Sequence, residues 1–133
     1  MRRFLILLLP VFLFACSGDD EDKVNLKMTL EYVEDGQTLP RANARVCLYD
    51  AKDYTTDWIF GYTIEGSSVE NGDGKIISPK YIFKADEKGV INVEIEDNVS
   101  YVYTFQSVVN SIHTTGYDFF EAKGKPVEIK FAL

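Results

Sequence analysis

An all-β sandwich is the fold class that this 133-residue sequence predicts, on three observations. Apolar and polar residues alternate with a period of two in several separate runs, the pattern of strands that bury one face. Gly, Asn and Asp turn signals punctuate those runs. Tyr and Phe dominate an aromatic content of 14%, a composition that suits pleated sheets, and no run after residue 23 shows a convincing helical period.

Taken in order, the chain begins Met1-Arg2-Arg3 and then runs without charge from residue 4 to residue 15. As a helix that run covers roughly 18 Å, against a hydrocarbon core of about 30 Å, so it reads as a secretory signal rather than a membrane span. Pro10 and the lack of any polar face exclude a packed surface helix. Cys16 follows, then Ser17-Gly18-Asp19-Asp20-Glu21-Asp22-Lys23, a stretch of small and like-charged residues that forms a solvated tether over 16–23.

Residues 24–133 form the expected sandwich domain of about seven strands, enough chain for one core and no second domain. Val24, Leu26, Met28, Leu30 and Tyr32 alternate with polar neighbours in a long first strand, and Glu34-Asp35-Gly36-Gln37 turns the chain. Ala44, Val46 and Leu48 alternate next, then Trp58, Phe60, Tyr62 and Ile64. Residues 65–79, with Gly66-Ser67-Ser68 and Asn71-Gly72-Asp73-Gly74, are a long hairpin loop or an insertion. Tyr81-Ile82-Phe83 is a short strand, Asp86-Glu87-Lys88-Gly89 a turn, and Ile91, Val93 and Ile95 a further strand. Tyr101, Tyr103 and Phe105 follow, and Val127, Ile129 and Phe131 close the chain. Between them, residues 107–125 are less regular, with Asp118-Phe119-Phe120-Glu121 an edge strand or one helical turn.

Leu13-Phe14-Ala15-Cys16 resembles the lipobox of bacterial lipoprotein precursors. The resemblance implies cleavage after Ala15, diacylglycerol on the Cys16 thiol and acylation of the new amino terminus, with palmitate among the chains. Two or three chains matter because one alone binds a bilayer only reversibly. The acidic residues behind Cys16 resemble the stretch that directs lipoproteins of the Bacteroidetes to the outer face of the outer membrane, which implies a lipid-anchored, surface-exposed address. Within the folded part, Gly36-Gln37-Thr38-Leu39-Pro40 leading to Ala44-Arg45-Val46-Cys47-Leu48-Tyr49 resembles the opening of prealbumin-like sandwiches, the carboxypeptidase regulatory-like and collagen-adhesin B-type repeats. Asp86-Glu87-Lys88-Gly89 and Tyr101-Val102-Tyr103 are similar to their second turn and Tyr-rich strand. These are marks of turn chemistry, so they imply a fold, immunoglobulin-like in size, and no activity.

The charge narrows the partners. Formal net charge is −7, and removing Arg2 and Arg3 with the signal takes 14 basic residues to 12 against 21 acidic, a charge of −9. Such a chain does not seek nucleic acid or anionic lipid by electrostatics, so membrane contact comes from the lipid on Cys16. With Cys16 acylated, Cys47 has no disulfide partner, and its strand context makes it a small core hydrophobe.

No catalytic constellation emerges. His113 is the single histidine and sits in Ser111-Ile112-His113-Thr114-Thr115, read as a solvated loop position. The prealbumin-like hydrolase of 5-hydroxyisourate has a histidine pair and a C-terminal Tyr-Arg-Gly-Ser that this chain lacks. Asp73 with Asn71, or Asp50 with Asp53 and Asp57, offer oxygens for calcium without the spacing of an EF-hand, and no Cys/His set suits zinc, so neither metal nor cofactor is expected. The sequon Asn98-Val99-Ser100 has no role in a bacterial product. Trp58, Tyr62 and nearby tyrosines make a sugar-stacking platform if they face outward and core if they do not. The expectation is a lipid-anchored envelope protein that is not an enzyme, binding glycan or protein. The alternative is a subunit of a larger envelope assembly, a fimbria or uptake complex, pairing through a sheet edge.

Overall fold

The alternation from Val24 to Leu30 produces the strand around which one sheet is built. In a computed structural model, which describes residues 22–53, 68–70 and 74–132, strand β1 (Lys23–Glu34) buries Val24, Leu26, Met28 and Leu30 while Asn25 and Lys27 face solvent. Among the described residues the further strands are β2 (Gln37–Pro40), β3 (Arg45–Asp50), β4 (Val69–Glu70), β5 (Ile76–Ile77), β6 (Tyr81–Lys84), β7 (Val90–Glu96), β8 (Ser100–Val109), β9 (Ile112–Glu121) and β10 (Val127–Ala132), with a 3-10 turn over Ala51–Asp53.

One sheet centres on β1, which pairs in parallel with β10 along one edge. Along its other edge lie antiparallel β7, beside residues 23–29, and then β2, beside residues 31–34. The second sheet runs β6-β3-β8-β9, antiparallel throughout. Leu26, Met28 and Leu30 from the first sheet meet Val46, Leu48, Tyr101, Tyr103 and Phe105 from the second in one buried cluster, so the fold is the expected all-β sandwich. Rings of Tyr103, Phe105, Phe120 and Phe131 contact one another between the layers.

Turn chemistry sets the registers. At Asp86–Gly89 the Asp86 carboxylate accepts from the backbone N–H of Lys88 and of Val90. Gly89, at φ +71°, donates to the Asp86 carbonyl and offers its own carbonyl to Leu30. Both hairpin tips, Asp35-Gly36 and Asn110-Ser111, have two consecutive residues at positive φ, the geometry that matches the twist of two-residue hairpins. The tips also meet: Asn110 Nδ2 donates to Glu34 Oε1 at 2.7 Å. Between them Arg41 is buried, its Nε donating to the Glu31 carbonyl and its Nη1 to Ser107 Oγ at 3.3 Å, with the guanidinium over the Tyr32 ring, so it ties the two sheets at this end.

Three departures from the sequence expectation have physical causes. Ten strands occur among the described residues instead of about seven: β2 and the two-residue β4 and β5 are too short to carry a periodic signal, β9 falls in the segment that reads as irregular, and the run expected at residues 58–64 lies outside the described residues. Part of the 65–79 segment is a small hairpin, β4 with β5, whose Val69 and Ile77 bury Cys47 and Tyr49. That cover makes β3 apolar on both faces, and Cys47 is free and buried there. The irregular 107–125 segment is mostly the ten-residue edge strand β9, not a helical turn.

Burial of tyrosines gives the sandwich an alkaline limit. Burial pushes the Tyr49 phenol up to about 12, against a hydrogen bond with Thr104 that acts the other way. Tyr101, whose hydroxyl donates to the Glu96 carbonyl, and Tyr103 are raised by the same cause, helped for Tyr103 by the charge of Asp118. A phenol whose pKa is raised by folding stays protonated in the native state while the unfolded chain ionises near 10. Stability is therefore flat below that pH and falls as pH climbs from about 10 to about 12. Urea midpoints measured from about pH 8 to about pH 12 show this decline, and an unchanged midpoint at about pH 11 contradicts it.

Candidate binding face

The outer surface of the second sheet divides into a covered and an open half. Residues directly across a ladder share a face, so the register places Ile82, Cys47, Thr104 and Tyr117 in one row. Tyr49, Val102 and Phe119 form the next row, and Lys84, Arg45, Gln106 and Thr115 the row on the other side. The β4–β5 hairpin covers the β3 part of this surface, where Cys47 and Tyr49 are buried. On β9 nothing among the described residues covers it: Tyr117 and Phe119 are 49% and 50% exposed.

Local sequence explains why β9 presents these rings. Phe119 and Phe120 are adjacent, so one must point out, and Phe120 points in against Tyr101 and Tyr103. Four residues before Phe120, Gly116 faces inward across from Phe105, whose buried ring occupies the space of a side chain: a Cβ on Gly116 would lie 2.4 Å from a Phe105 ring carbon. Tyr117 is thereby directed outward beside Thr104 and one row from Gln106. A groove of about 620 Å³ borders the same end of the sheet, between Asn43, Arg45, Gln106, Val108 and Thr115. Half-exposed aromatic rings flanked by hydroxyl, amide and guanidinium groups can stack on a sugar or pack on an apolar side chain while hydrogen-bonding at the rim.

The four sheet edges differ in protection. β6 is four residues long and flanked by Lys80, paired to Glu96, and Lys84. β10 carries Glu128 and Lys130, and Lys130 Nζ lies 3.1 Å from Glu31 Oε2. Along the other edge of the first sheet, β7 carries Glu94 and Glu96. β9 is ten residues long, holds neither lysine nor proline, and has no charged residue between His113 and Asp118. Its protection is local: Asp118 Oδ1 accepts the backbone N–H of Phe119 at 2.8 Å. Near its end Glu121 pairs with Lys123, which holds its carboxyl below the usual carboxylate range.

The residues singled out from sequence are only partly gathered here. Cys16, the signal and most of the tether, Trp58, Phe60, Tyr62, Ile64, Asn71, Asp73 and Asp57 lie outside the described residues. His113 stands in strand β9 opposite Val108 rather than in a loop. Asp50 is engaged with its own neighbour, accepting the Lys52 backbone N–H and facing Lys52 Nζ at 3.2 Å. Among the described residues no group of three or more His, Cys, Asp or Glu is placed to hold a metal ion, and no helix is long and apolar enough to cross a membrane. Tyr117, Phe119 and Gln106 were not singled out. An i, i+2 pair of aromatics in a segment bounded by an Asn-Ser hairpin turn is the signal that points to them.

Comparison with known proteins adds little to this geometry. No family model matches the chain, and no curated protein matches it either. A solved structure, the Bacillus anthracis TIE protein, is similar with a TM-score of 0.45 and 20% identity over 83% of this chain, which spans 17% of that one.

Proposed function

We propose that the chain is a lipid-anchored cell-envelope protein of the Bacteroidetes type, a prealbumin-like sandwich held to the outer membrane through Cys16 and working as a binding or adhesion module without catalysis. The observation that carries the binding half is the open face of β9, where Tyr117 and Phe119 keep half their surface in water beside Thr104, Thr115 and Gln106. Two large rings left exposed on a rigid strand are a feature of surfaces that meet glycans or apolar protein segments. The anchor rests on Leu13-Phe14-Ala15-Cys16 and the acidic residues behind it. A second reading, a subunit of a larger envelope assembly, is favoured by one observation: β9 is a long sheet edge with no lysine, no proline and an uncharged centre.

The expected result of Tyr117→Ser with Phe119→Ser is loss of ligand retention on glycan arrays and in pull-downs of at least about tenfold, for roughly 1.4 kcal/mol or more of lost contact. Since both rings face outward, the urea midpoint shifts little. Retention that survives the double substitution removes this face from the reading. Cys16→Ser separately abolishes metabolic labelling of the protein with palmitate if the anchor is as proposed.

A further inference from the structure

We infer that two copies of this chain join β9 to β9 in antiparallel register about a twofold axis at Gly116, making one continuous sheet through both molecules. The inference goes beyond the readings above, since it names the occupant of the edge and needs neither a glycan nor a foreign protein.

Backbone geometry supplies the first step. The Asn110-Ser111 turn closes on the pair Val109 and Ile112, which the two-residue hairpin makes a hydrogen-bonded pair. Hydrogen-bonded and non-hydrogen-bonded pairs alternate along an antiparallel ladder, so Thr114, Gly116 and Asp118 also bond to β8. His113, Thr115, Tyr117, Phe119 and Glu121 then aim their N–H and C=O groups away from β8, where no described strand pairs with them; the Phe119 N–H is held there by Asp118 Oδ1, and pairing along this edge takes that donor from the carboxylate. Thr115, Tyr117 and Phe119 carry their side chains on the outer face. An added strand must therefore match odd positions to odd positions, which restricts a twofold axis to lie at one residue rather than between two.

Asp118 selects among the remaining registers, because a carboxylate drawn into an interface needs a donor opposite it. An axis at Asp118 sets two carboxylates face to face. An axis at Thr115 puts Asp118 against Ile112, and one at Tyr117 puts it against Gly116, which has no side-chain donor. Only the axis at Gly116 puts Asp118 opposite a hydroxyl, that of Thr114. That register pairs Tyr117 with Thr115 on the outer face and sets position 119 opposite position 113 along the backbone. On the inner face it sets Ile112, 67% exposed in one copy, against Phe120. No like charges within β9 oppose each other, and the axis residue is a glycine, at a non-hydrogen-bonded pair where strands approach to about 4.5 Å between Cα atoms. The uncharged centre of β9 offers a charged foreign strand nothing to select it by, while a second copy sets Asp118 against the Thr114 hydroxyl twice, once on each side of the axis.

Thr114→Cys with Asp118→Cys tests the register. Within one copy these positions are roughly 13 Å apart along the strand, too far for a disulfide, whereas between copies they are directly opposed. The mature chain from residue 16 carrying Cys16→Ser, so that neither lipid nor the apolar signal adds mass, is expected to approach twice its mass in sedimentation equilibrium as concentration rises. The double-cysteine form of it is expected to oxidise to a covalent dimer, while Thr114→Cys with Phe120→Cys, which matches the axis at Tyr117, does not. Tyr117→Lys places a lysine on the edge and abolishes association with the fold intact by circular dichroism. A chain that stays monomeric without substitution overturns the inference, as does a covalent dimer from the 114 and 120 pair in place of the 114 and 118 pair. Ligand retention that persists in a strictly monomeric chain defeats this pairing and leaves the proposed binding function standing.

Discussion

Replacing Gly89 by valine is expected to destabilise the protein by about 3 kcal/mol or more. Gly89 stands at φ +71°, where an L side chain is strained, and a Cβ there would meet the Leu30 carbonyl oxygen at 2.3 Å and the Arg41 nitrogen at 3.0 Å. Both of those atoms belong to backbone that cannot step aside. Leu30 donates to the Gly89 carbonyl, and Arg41 donates its N–H to the Leu30 carbonyl, so the valine separates the β6–β7 turn from β1 and β2 together. Gly36, also at positive φ, has nothing within 4 Å of such a Cβ, and Gly36→Ala should cost only about 1 kcal/mol. Urea denaturation of the two variants side by side checks this, and equal midpoints would show that crowding at Leu30 is not what fixes Gly89.

Leu48→Ala should cost about 2 to 5 kcal/mol. Leu48 is fully buried at the middle of β3, opposite Tyr81 on one side and Tyr103 on the other, and it faces the core strands of the first sheet. The tyrosines are held by their own contacts, Tyr81 stacked on Phe83 and Tyr103 against Phe120 and Phe131, so the cavity collapses little. Its neighbour Cys47 is nearly as buried, on the opposite face under the β4–β5 hairpin. Cys47→Ala removes one sulfur beneath a four-residue cover and should cost nearer about 1 kcal/mol. Thermal unfolding of the pair separates the main core from this satellite cluster.

Legibility of the fold followed burial. β1 reads plainly because one face is core and the other is water over its whole first half. The Asp86–Gly89 turn reads plainly because its hydrogen bonds demand those residue types at those positions. β3 shows a continuous run, Val46-Cys47-Leu48-Tyr49, which is the mark of a strand covered on both faces, although what covers the second face lies in strands two residues long. β9 is hardest to read. As an edge it keeps Thr114, Asp118 and Glu121 beside Tyr117 and Phe119, and Gly116 interrupts the run for the benefit of Phe105 across the ladder. The candidate face was hidden for the same reason, since an exposed aromatic row differs from a core row only in what fails to cover it. Trp58 and Tyr62, a stacking platform only if they face outward and otherwise core, lie outside the described residues.

The account turns on β9 being where this protein meets other molecules. A photo-reactive residue placed at Tyr117 in the protein on intact cells, compared with one at Glu128 on the charged β10 strand, tests that most directly. Cross-linked products from position 117 and few or none from 128 are the predicted result; products from 128 with none from 117 would contradict it.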